Sequence, residues 1–389
     1  MFVKNIRAVK IDLAYLSLKI GVGLCSAVLL FMFAYIWFIY STIPILTYWR
    51  TIWIETAMTT GSHGWLATAF IPAEIIDGVM NNSAGNPDVI GGLEHLHGSK
   101  DKDDEKEEQG EHTGEDGSAD EKPPDDGKKP ERPGDILGQA SLSVGGADYA
   151  GNTILVNDIE EGIVISEITG SGYKGKIMMV DDPSRVFLGN TTAPGIRGMR
   201  IKEMLTEYGA VAGINASGFM DHAGEGTGGE VVGLSCSSGK YWGDYVNYYG
   251  SVVLTDEDRL VVGNIAAWKN YNIRDGIQFG PVLIANGEIQ IKGSAGYGLQ
   301  PRTAIGQRED GVILMLIIDG RDLTHSIGCT VGDVAEILLK YNALNAACCD
   351  GGASTVMAYD GEVINRNCSA NPTLGRMMPN AFLVRSKSA

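Results

Sequence analysis

The longest continuous apolar stretch of the chain runs from Ile20 to Ile43, and no charged residue lies between Lys19 and Arg50. A stretch of this length can cross a bilayer as one helix. A cleaved signal peptide is less favoured, because the run is long and bulky and no clear small-residue cleavage site follows it. A buried helix of a soluble protein is less favoured still. We therefore predict a transmembrane signal anchor over residues 20–43.

The orientation of this anchor follows from the charges that precede it. Only one acidic residue, Asp12, accompanies four basic ones: Lys4, Arg7, Lys10 and Lys19. The positive-inside rule then places residues 1–19 in the cytosol. We expect a single-pass protein of the cell membrane whose C-terminal domain is extracytoplasmic.

From about residue 150 the apolar positions fall in short runs bounded by turn residues, a pattern typical of strands. The runs are Ile163–Ile165, Lys176–Val180, Ser251–Leu254, Pro281–Ala285 and Val312–Ile318. The dipeptides Asn286-Gly287 and Asp360-Gly361 predict hairpin turns.

Helical spacing of apolar residues appears in two places in the same region, 196–208 and 331–341. Thr330 is a predicted N-cap of the second helix, with Asp333 three residues later. Many strands and few helices predict an α+β fold, with a mixed or antiparallel sheet body, behind the transmembrane helix.

Two segments separate the anchor from this body. Residues 44–97 form a juxtamembrane stalk with apolar, helical stretches; a membrane-surface element and a packing partner of the body are the alternatives. Residues 98–135 are rich in Asp, Glu, Lys, Gly and Pro and hold almost no large apolar residue. Such a composition predicts an acidic, disordered linker. The folded domain is then expected over 150–389.

Composition and residue spacing argue against nucleic acid as a partner and against a zinc site. A net charge of −17 argues against nucleic acid as a partner. Five of the six cysteines lie outside the span, an odd number, so one or two disulfides are expected without a defined connectivity. No Cys-x-x-Cys or Cys/His spacing predicts a zinc site. We predict no metal site and no cofactor, leaving a divalent cation open.

Four polar turns in the body are candidate ligand sites. Glycines in such turns let the backbone approach a ligand closely, and arginine is shaped for bidentate contact with phosphate. Structural corners, a surface arginine and a salt bridge are the alternatives for them. The turns are Gly213–Asp221, Gln300–Gly306, Ile318–Arg321 and Asp350–Thr355.

These turns, in this order, resemble the phosphodiester glycosidase family, which includes N-acetylglucosamine-1-phosphodiester α-N-acetylglucosaminidase and bacterial proteins associated with exopolysaccharide. The resemblance covers about 150–385. Two departures bear on substrate preference: Ala353 and Thr355 replace a usual glycine and serine, and Ser217 is inserted beside Ala216. The matching pieces are Ile214–Phe219, Phe279–Pro281 with Asn286-Gly287, Arg302–Gly306, Asp319–Arg321, Asp350–Thr355 and Arg376 with Pro379–Ala381.

The resemblance implies hydrolysis of a sugar-1-phosphodiester at the glycosidic bond, on cell-surface or exopolysaccharide material. Asp319 and Asp350 are then expected to be the catalytic carboxylates, while Arg302 and Arg321 bind the phosphate as the leaving group. The remaining candidates are expected to bind substrate: Asn215, Gly218, Asp221, Gly351, Gly352, Ser354, Thr355 and Arg376. A non-catalytic binding module for anionic glycans is the alternative function, and a cell-surface scaffold is a third.

Other residue types give weaker signals. His222 and His325 lack a second ligand at metal-like spacing, so structural roles are favoured. No nucleophile elbow surrounds Ser354. The aromatic cluster from Tyr241 to Tyr249 predicts core or strand packing, with stacking on sugar rings as the alternative. The expected partners are a glycan or sugar phosphate and, through the N-terminal helix, the membrane.

Overall fold

The computed structural model describes residues 13–60, 63–81, 88–98, 143–221 and 226–388. The predicted linker over 98–135 lies outside these residues, apart from Gly98. Helix α1 (Leu13–Tyr40) corresponds to the predicted span. Residues Ser17–Tyr40 have the length and hydropathy needed to cross a membrane, and only 6% of their most apolar window is buried. This helix is therefore not a core helix.

Three short helices follow α1: α2 (Pro44–Met58), α3 (Trp65–Thr68) and α4 (Ala73–Met80). Proline at the first position of α2 suits a helix start, where its missing N–H costs no hydrogen bond. The Arg50 guanidinium donates to the carbonyls of Phe38, Ile39 and Ser41 at the end of α1. These bonds satisfy carbonyls that a helix end leaves without partners. The apolar faces of the helices then pack together around Ile54.

The body is built from three sheets, and every strand pairing within them is antiparallel. The eight-stranded sheet has the order β13 (Glu288–Ile289), β12 (Val282–Ala285), β16 (Ala343–Cys349), β14 (Arg302–Arg308), β15 (Ile313–Ile318), β4 (Tyr173–Val180), β3 (Ile163–Gly170) and β2 (Ile154–Asp158). The five-stranded sheet has the order β18 (Glu362–Val363), β17 (Met357–Tyr359), β6 (Ala210–Asn215), β19 (Asn380–Arg385) and β5 (Val186–Asn190).

The six-stranded sheet has the order β1 (Ile90–Gly91), β10 (Leu260–Gly263), β9 (Ser251–Thr255), β11 (Ile273–Gln278), β7 (Ser235–Ser237) and β8 (Lys240–Trp242). Because β1 precedes the predicted linker in sequence, the juxtamembrane segment contributes an edge strand to the body. Two further helices cover the sheets, α5 (Ile201–Tyr208) and α6 (Val331–Lys340).

The core lies where the sheets face one another. Ile305 of the eight-stranded sheet packs in one cluster with Phe382 and Leu254 of the other two. Its neighbour Ala304 faces the opposite side and packs under α6, against Leu338. This alternation is the period-2 geometry of a strand, and it buries both faces of the sheet.

The predicted α+β class is confirmed, and the sheets prove to be antiparallel. Thr330 caps α6 as expected: its hydroxyl accepts from the Asp333 N–H at 3.1 Å and donates to the Asp333 carboxylate at 2.7 Å. The helix predicted over 196–208 begins only at Ile201. The preceding residues instead form a β-bridge between Met199 and Met378, which competes with the helix.

The topology brings three of the polar segments to the same end of neighbouring strands in the eight-stranded sheet. Arg302, the first residue of β14, pairs with Ile318, the last residue of β15. Thr303 pairs with Cys349, the last residue of β16. The segments containing Arg302, Asp319 and Asp350 therefore emerge side by side, although up to 48 positions separate them in sequence.

Candidate active site

A cavity of about 970 Å³ opens where β14 begins and where β15 and β16 end. It has the size of a ligand site and a mostly polar set of side chains. Predicted site residues that line it are Arg302, Arg321, Asp350, Gly351, Gly352, Ser354, Asp221 and Arg376. Four predicted site residues do not line it: Asp319, Asn215, Gly218 and Thr355.

Arg302 supplies a buried positive charge to the cavity. Its Nη2 donates to the carbonyls of Tyr297 at 2.9 Å and Gly298 at 2.7 Å, and its Nε to that of Cys329 at 3.2 Å. Within the described part of the chain it forms no salt bridge with a carboxylate. Burial lowers the pKa of Arg302, but an arginine remains charged in a protein. An unpaired buried cation is costly unless a ligand anion compensates it.

Arg321 adds a second cation, exposed at the cavity mouth. Its backbone is left-handed, with φ of 62°, and its Nη2 donates to Gln300 Oε1 at 2.8 Å. Among the described residues it also has no carboxylate partner. Gly352 makes room for it, since a Cβ there would stand 3.0 Å from Arg321 Nη2. The two guanidinium groups line one cavity and are a candidate site for an anion.

Asp350, which directly precedes the glycines 351 and 352, is a carboxylate that lines the same cavity. Burial raises its pKa to about 6, and the nearby charge of Asp221 adds to this. A hydrogen bond from Ser354 and the charge of Arg376 oppose the shift. A carboxyl group with such a pKa can exchange protons near neutral pH, which suits acid–base chemistry.

A second carboxylate, Asp221, faces the cavity in an ion pair. Its Oδ2 accepts from Arg376 Nη2 at 2.6 Å, and the Arg376 guanidinium lies 4.6 Å from the centre of the Phe219 ring. The other oxygen of Asp221 accepts from the Gly226 N–H at 2.8 Å. The pair fixes the turn around residue 221 against the tail segment that contains Arg376.

Asp319 occupies a position behind the cavity wall. Its two oxygens bond His325 Nε2 at 2.9 Å and Asn365 Nδ2 at 3.0 Å, and only 3% of the residue is exposed. Asn365 Oδ1 in turn accepts from the Met357 N–H. Both oxygens of Asp319 thus accept internal hydrogen bonds. Of the described residues, the two carboxylates that line the cavity are Asp350 and Asp221, and not the expected Asp350 and Asp319. His325 has the structural role that its isolation in sequence indicated.

Asn215 also lies beneath the cavity. Its Nδ2 donates to the Asp350 carbonyl at 2.6 Å, and its Oδ1 accepts from Thr303 Oγ1 and the Val356 N–H. The amide therefore holds the Asp350 turn in place and has no remaining surface for a sugar hydroxyl. Thr355 is buried in the same way. Gly218 is required by packing, because a Cβ there would approach the Phe279 ring to 2.9 Å.

Aromatic and thiol groups complete the walls. Tyr249 and Phe279 lie with ring centres 5.6 Å apart and line the cavity together with Tyr297. Tyr241, by contrast, packs on Trp268 away from it. Burial raises the pKa of the lining Cys348 thiol to about 11, so it stays protonated at neutral pH and is a poor nucleophile.

Residues from the juxtamembrane segment form one side of the cavity, which the sequence did not indicate. They follow α2 and include Thr59, Thr60 and His63. No glycine motif or charge pattern marks them. The available signal was only the helical, apolar character of 44–97, which left open whether this segment packs on the body.

The six cysteines are all free thiols, so the one or two disulfides considered from sequence are absent. His222 lies outside the described residues. Within those residues no group of three His, Cys, Asp or Glu side chains is placed to hold a metal ion.

Comparison with known proteins supports the resemblance. Residues 208–385 match the model of the phosphodiester glycosidase family, a shorter region than the 150–385 expected. A Bacillus subtilis (strain 168) relative, the SPbeta prophage-derived uncharacterized protein YomE, is 31% identical over 197 residues. That match covers 47% of this chain and 29% of YomE, so the chain spans less than a third of this relative's length.

Two solved structures are similar in outline. The zebrafish N-acetylglucosamine-1-phosphodiester α-N-acetylglucosaminidase catalytic domain, auto-inhibited by its pro-peptide, is 20% identical with a TM-score of 0.47. The match covers 58% of this chain and 82% of that domain. A hypothetical protein from Synechocystis is 16% identical with a TM-score of 0.45, over 60% of this chain and 64% of its own.

Proposed function

We propose that the chain is a membrane-anchored extracytoplasmic hydrolase of sugar-1-phosphodiesters, because residues 208–385 match the model of the phosphodiester glycosidase family. The single observation that carries the proposal is one cavity lined by Asp350 and by two arginines, Arg302 and Arg321, that have no carboxylate partner among the described residues. A sugar-1-phosphodiester is one anion joined to a sugar, and the cavity offers a cation site beside a titratable carboxylate. An N-acetylglucosamine-1-phosphodiester is the proposed substrate type, on cell-surface or exopolysaccharide material.

The chemistry divides between the two ends of the substrate. Arg302 and Arg321 hold the phosphate, which is a weakly basic leaving group and needs little protonation. The bond between the anomeric carbon and the bridging oxygen breaks, and the phosphate leaves with the electron pair. The ionised Asp350 carboxylate faces the positive charge that develops on the sugar, which stabilises it.

Water completes the reaction. Its oxygen bonds to the anomeric carbon and Asp350 accepts its proton, which gives a free sugar and a phosphomonoester. Asp221, held by Arg376, is the second carboxylate and faces the sugar side. Asn215 and Asp319 act as positioning residues, because each holds the turns that carry the cavity groups.

The position of the site relative to the membrane follows from α1. With residues 1–19 in the cytosol, the body and its cavity stand outside. Accessibility of Ser388→Cys to a membrane-impermeant maleimide in intact cells tests this. Labelling without permeabilisation is expected, and labelling that requires permeabilisation would reverse the topology.

Activity is tested with the full chain in detergent and N-acetylglucosamine-1-phosphate carrying a small alkyl ester. Free sugar and the alkyl phosphate are the expected products. The second candidate, a binding module for anionic glycans, is favoured by the same arginine pair, which needs no chemistry to bind an anion. Saturable binding with no release of sugar would support the module and remove the hydrolase.

A further inference from the structure

An apolar groove lies beside the cavity, between α2 and the body. It has a volume of about 470 Å³ and is mostly apolar in its lining. We call it the α2 groove. Its apolar wall residues are Trp53, Ala57, Leu66, Leu299, Leu323 and Ile327. The body side comes from the loops before β14 and after β15, which also supply the arginines.

The α2 groove and the cavity share part of their walls. Thr60, His63, Gln300 and Arg321 line both. A molecule that places an anion on Arg321 can therefore extend an apolar portion directly into the groove. The two spaces together have the polarity pattern of an amphiphile: a charged head at one end and an apolar chain at the other.

The position of α2 is fixed by bonds to the body. Glu55 accepts from the Gly296 N–H at 3.1 Å, and Thr56 Oγ1 accepts from the Leu299 N–H at 2.9 Å. Gln300 Nε2 donates to the Thr56 carbonyl at 2.9 Å and to Thr60 Oγ1 at 3.0 Å. The groove is thus a built feature with defined walls on both sides.

The groove also lies close to the end of the candidate membrane span. Its wall residue Trp53 packs against Phe38 near the end of α1, with ring centres 6.0 Å apart. Tyr48 and Trp49 precede Trp53 on α2 and are exposed. Tyrosine and tryptophan are enriched at the membrane interface. An apolar chain leaving the groove on this side meets the bilayer surface.

We infer that the α2 groove holds the apolar chain of an amphiphilic phosphodiester, so that the substrate class is a sugar linked through phosphate to a lipid-like alcohol. The inference rests on the proposed function for the identity of the head group. Three observations favour this occupant: continuity with the cavity, the lack of a carboxylate partner of Arg302 and Arg321 among the described residues, and the contact with α1. The juxtamembrane helix then selects the leaving group, while the body holds the sugar.

Binding of octyl phosphate and ethyl phosphate to the full chain in nanodiscs tests the groove independently of turnover. Burial of about half of the six additional methylenes gives about 50-fold tighter binding of octyl phosphate. Leu323→Asn should reduce this ratio at least fivefold, since Leu323 is 93% exposed and its loss leaves the fold intact. Leu93→Asn, an exposed leucine away from the groove, is the matched control and should keep the ratio.

Equal binding of the two phosphates, or equal ratios in Leu323→Asn and Leu93→Asn, would overturn the inference. Hydrolysis of the octyl and ethyl esters of a sugar-1-phosphate separates this failure from failure of the proposed function. Cleavage of both esters at equal kcat/KM removes the lipid preference but keeps the hydrolase. A chain preference in binding with no cleavage of either ester keeps the groove and removes the hydrolase.

Discussion

At the residue scale, the proposal depends most on Asp350 and its raised pKa. Asp350→Asn keeps the shape and removes both the charge and the proton acceptor. We expect kcat to fall by about 10³-fold, within the range of acid–base catalysis. Because burial opposes the charged carboxylate, the variant should be more stable than the wild type at pH 8, by no more than about 3 kcal/mol. Kinetics and urea denaturation measure the two effects.

A loss of activity accompanied by lower stability would contradict this account of Asp350. Asp360→Asn is the control, since Asp360 is a turn residue at an exposed hairpin away from the cavity. Asp360→Asn should leave kcat unchanged and should change the free energy of unfolding by no more than about 0.5 kcal/mol.

The pH dependence follows from the same group. Asp350 is expected to act ionised, so kcat/KM should rise with pH through about 6 and then level off. The stability of the fold should change in the opposite direction. The pKa of Asp350 is higher in the folded than in the unfolded protein, so its contribution to the unfolding free energy is present at low pH and is lost as the pH rises toward 6. The difference in unfolding free energy between wild type and Asp350→Asn, measured from pH 4 to pH 8, isolates this group. A kcat/KM that falls through pH 6 would instead make Asp350 an acid.

Arg302 tests the phosphate site. Arg302→Lys keeps a positive charge but loses the planar group that bonds three carbonyls and faces the anion. We expect kcat/KM to fall about 100-fold, the loss of one or two charge-assisted bonds. Arg259→Lys, at a surface position, is the matched control. Equal activity of both variants would remove Arg302 from the site.

At the element scale, the site depends on loops that three adjacent strands bring together. The sequence predicts a turn over Gln300–Gly306, but Arg302–Gly306 begins strand β14. The apolar run of β15 and the polar segments at the ends of the three strands could be predicted from sequence. Their pairing order could not, because the residues concerned are far apart in the chain and register depends on long-range contacts. The motif resemblance nevertheless predicted Arg302, Arg321, Asp350, Gly352 and Arg376 as site residues, and each lines the candidate cavity.

The roles of Asp319 and Asn215 were less accessible to sequence reasoning. A polar side chain at the end of a buried strand can point into a ligand site, or it can form hydrogen bonds inside the protein. The sequence pattern is the same in the two cases. The partners that decide between these outcomes, Asn365 for Asp319 and Thr303 for Asn215, become neighbours only after folding. Sequence left open whether the segment 44–97 packs on the body, and it did not single out Thr59 and Thr60, which carry no distinctive motif.

Gln300 links α2 to the arginine site, which makes it the test of this element. Its Nε2 donates to α2, while its Oε1 accepts from Arg321. Gln300→Glu removes the donor and places a negative charge beside Arg321. We expect KM for a sugar-1-phosphodiester to rise about tenfold, because the arginine is then partly neutralised. Michaelis–Menten analysis with Gln290→Glu as the control measures this, and an unchanged KM would argue that Arg321 does not bind the phosphate.

At the scale of the whole molecule, the helices and the body make one functional unit. The chain carries an excess of negative charge, yet Arg302 and Arg321 line the cavity without a carboxylate partner in the described part of the chain. Such a pair of cations attracts an anion locally against the overall field. The first described strand, β1, and helix α2 both attach the N-terminal segment to the body. Under the proposed function, membrane attachment and substrate binding involve the same elements.

The central claim is that this cavity cleaves the bond between the sugar and the bridging oxygen. Hydrolysis of an N-acetylglucosamine-1-phosphodiester in water enriched with ¹⁸O tests it most directly, with mass spectrometry of both products. We predict ¹⁸O in the free sugar, none in the phosphomonoester, and product formation about 10³-fold slower from Asp350→Asn. Label in the phosphate, or no cleavage by the wild type, would contradict the claim.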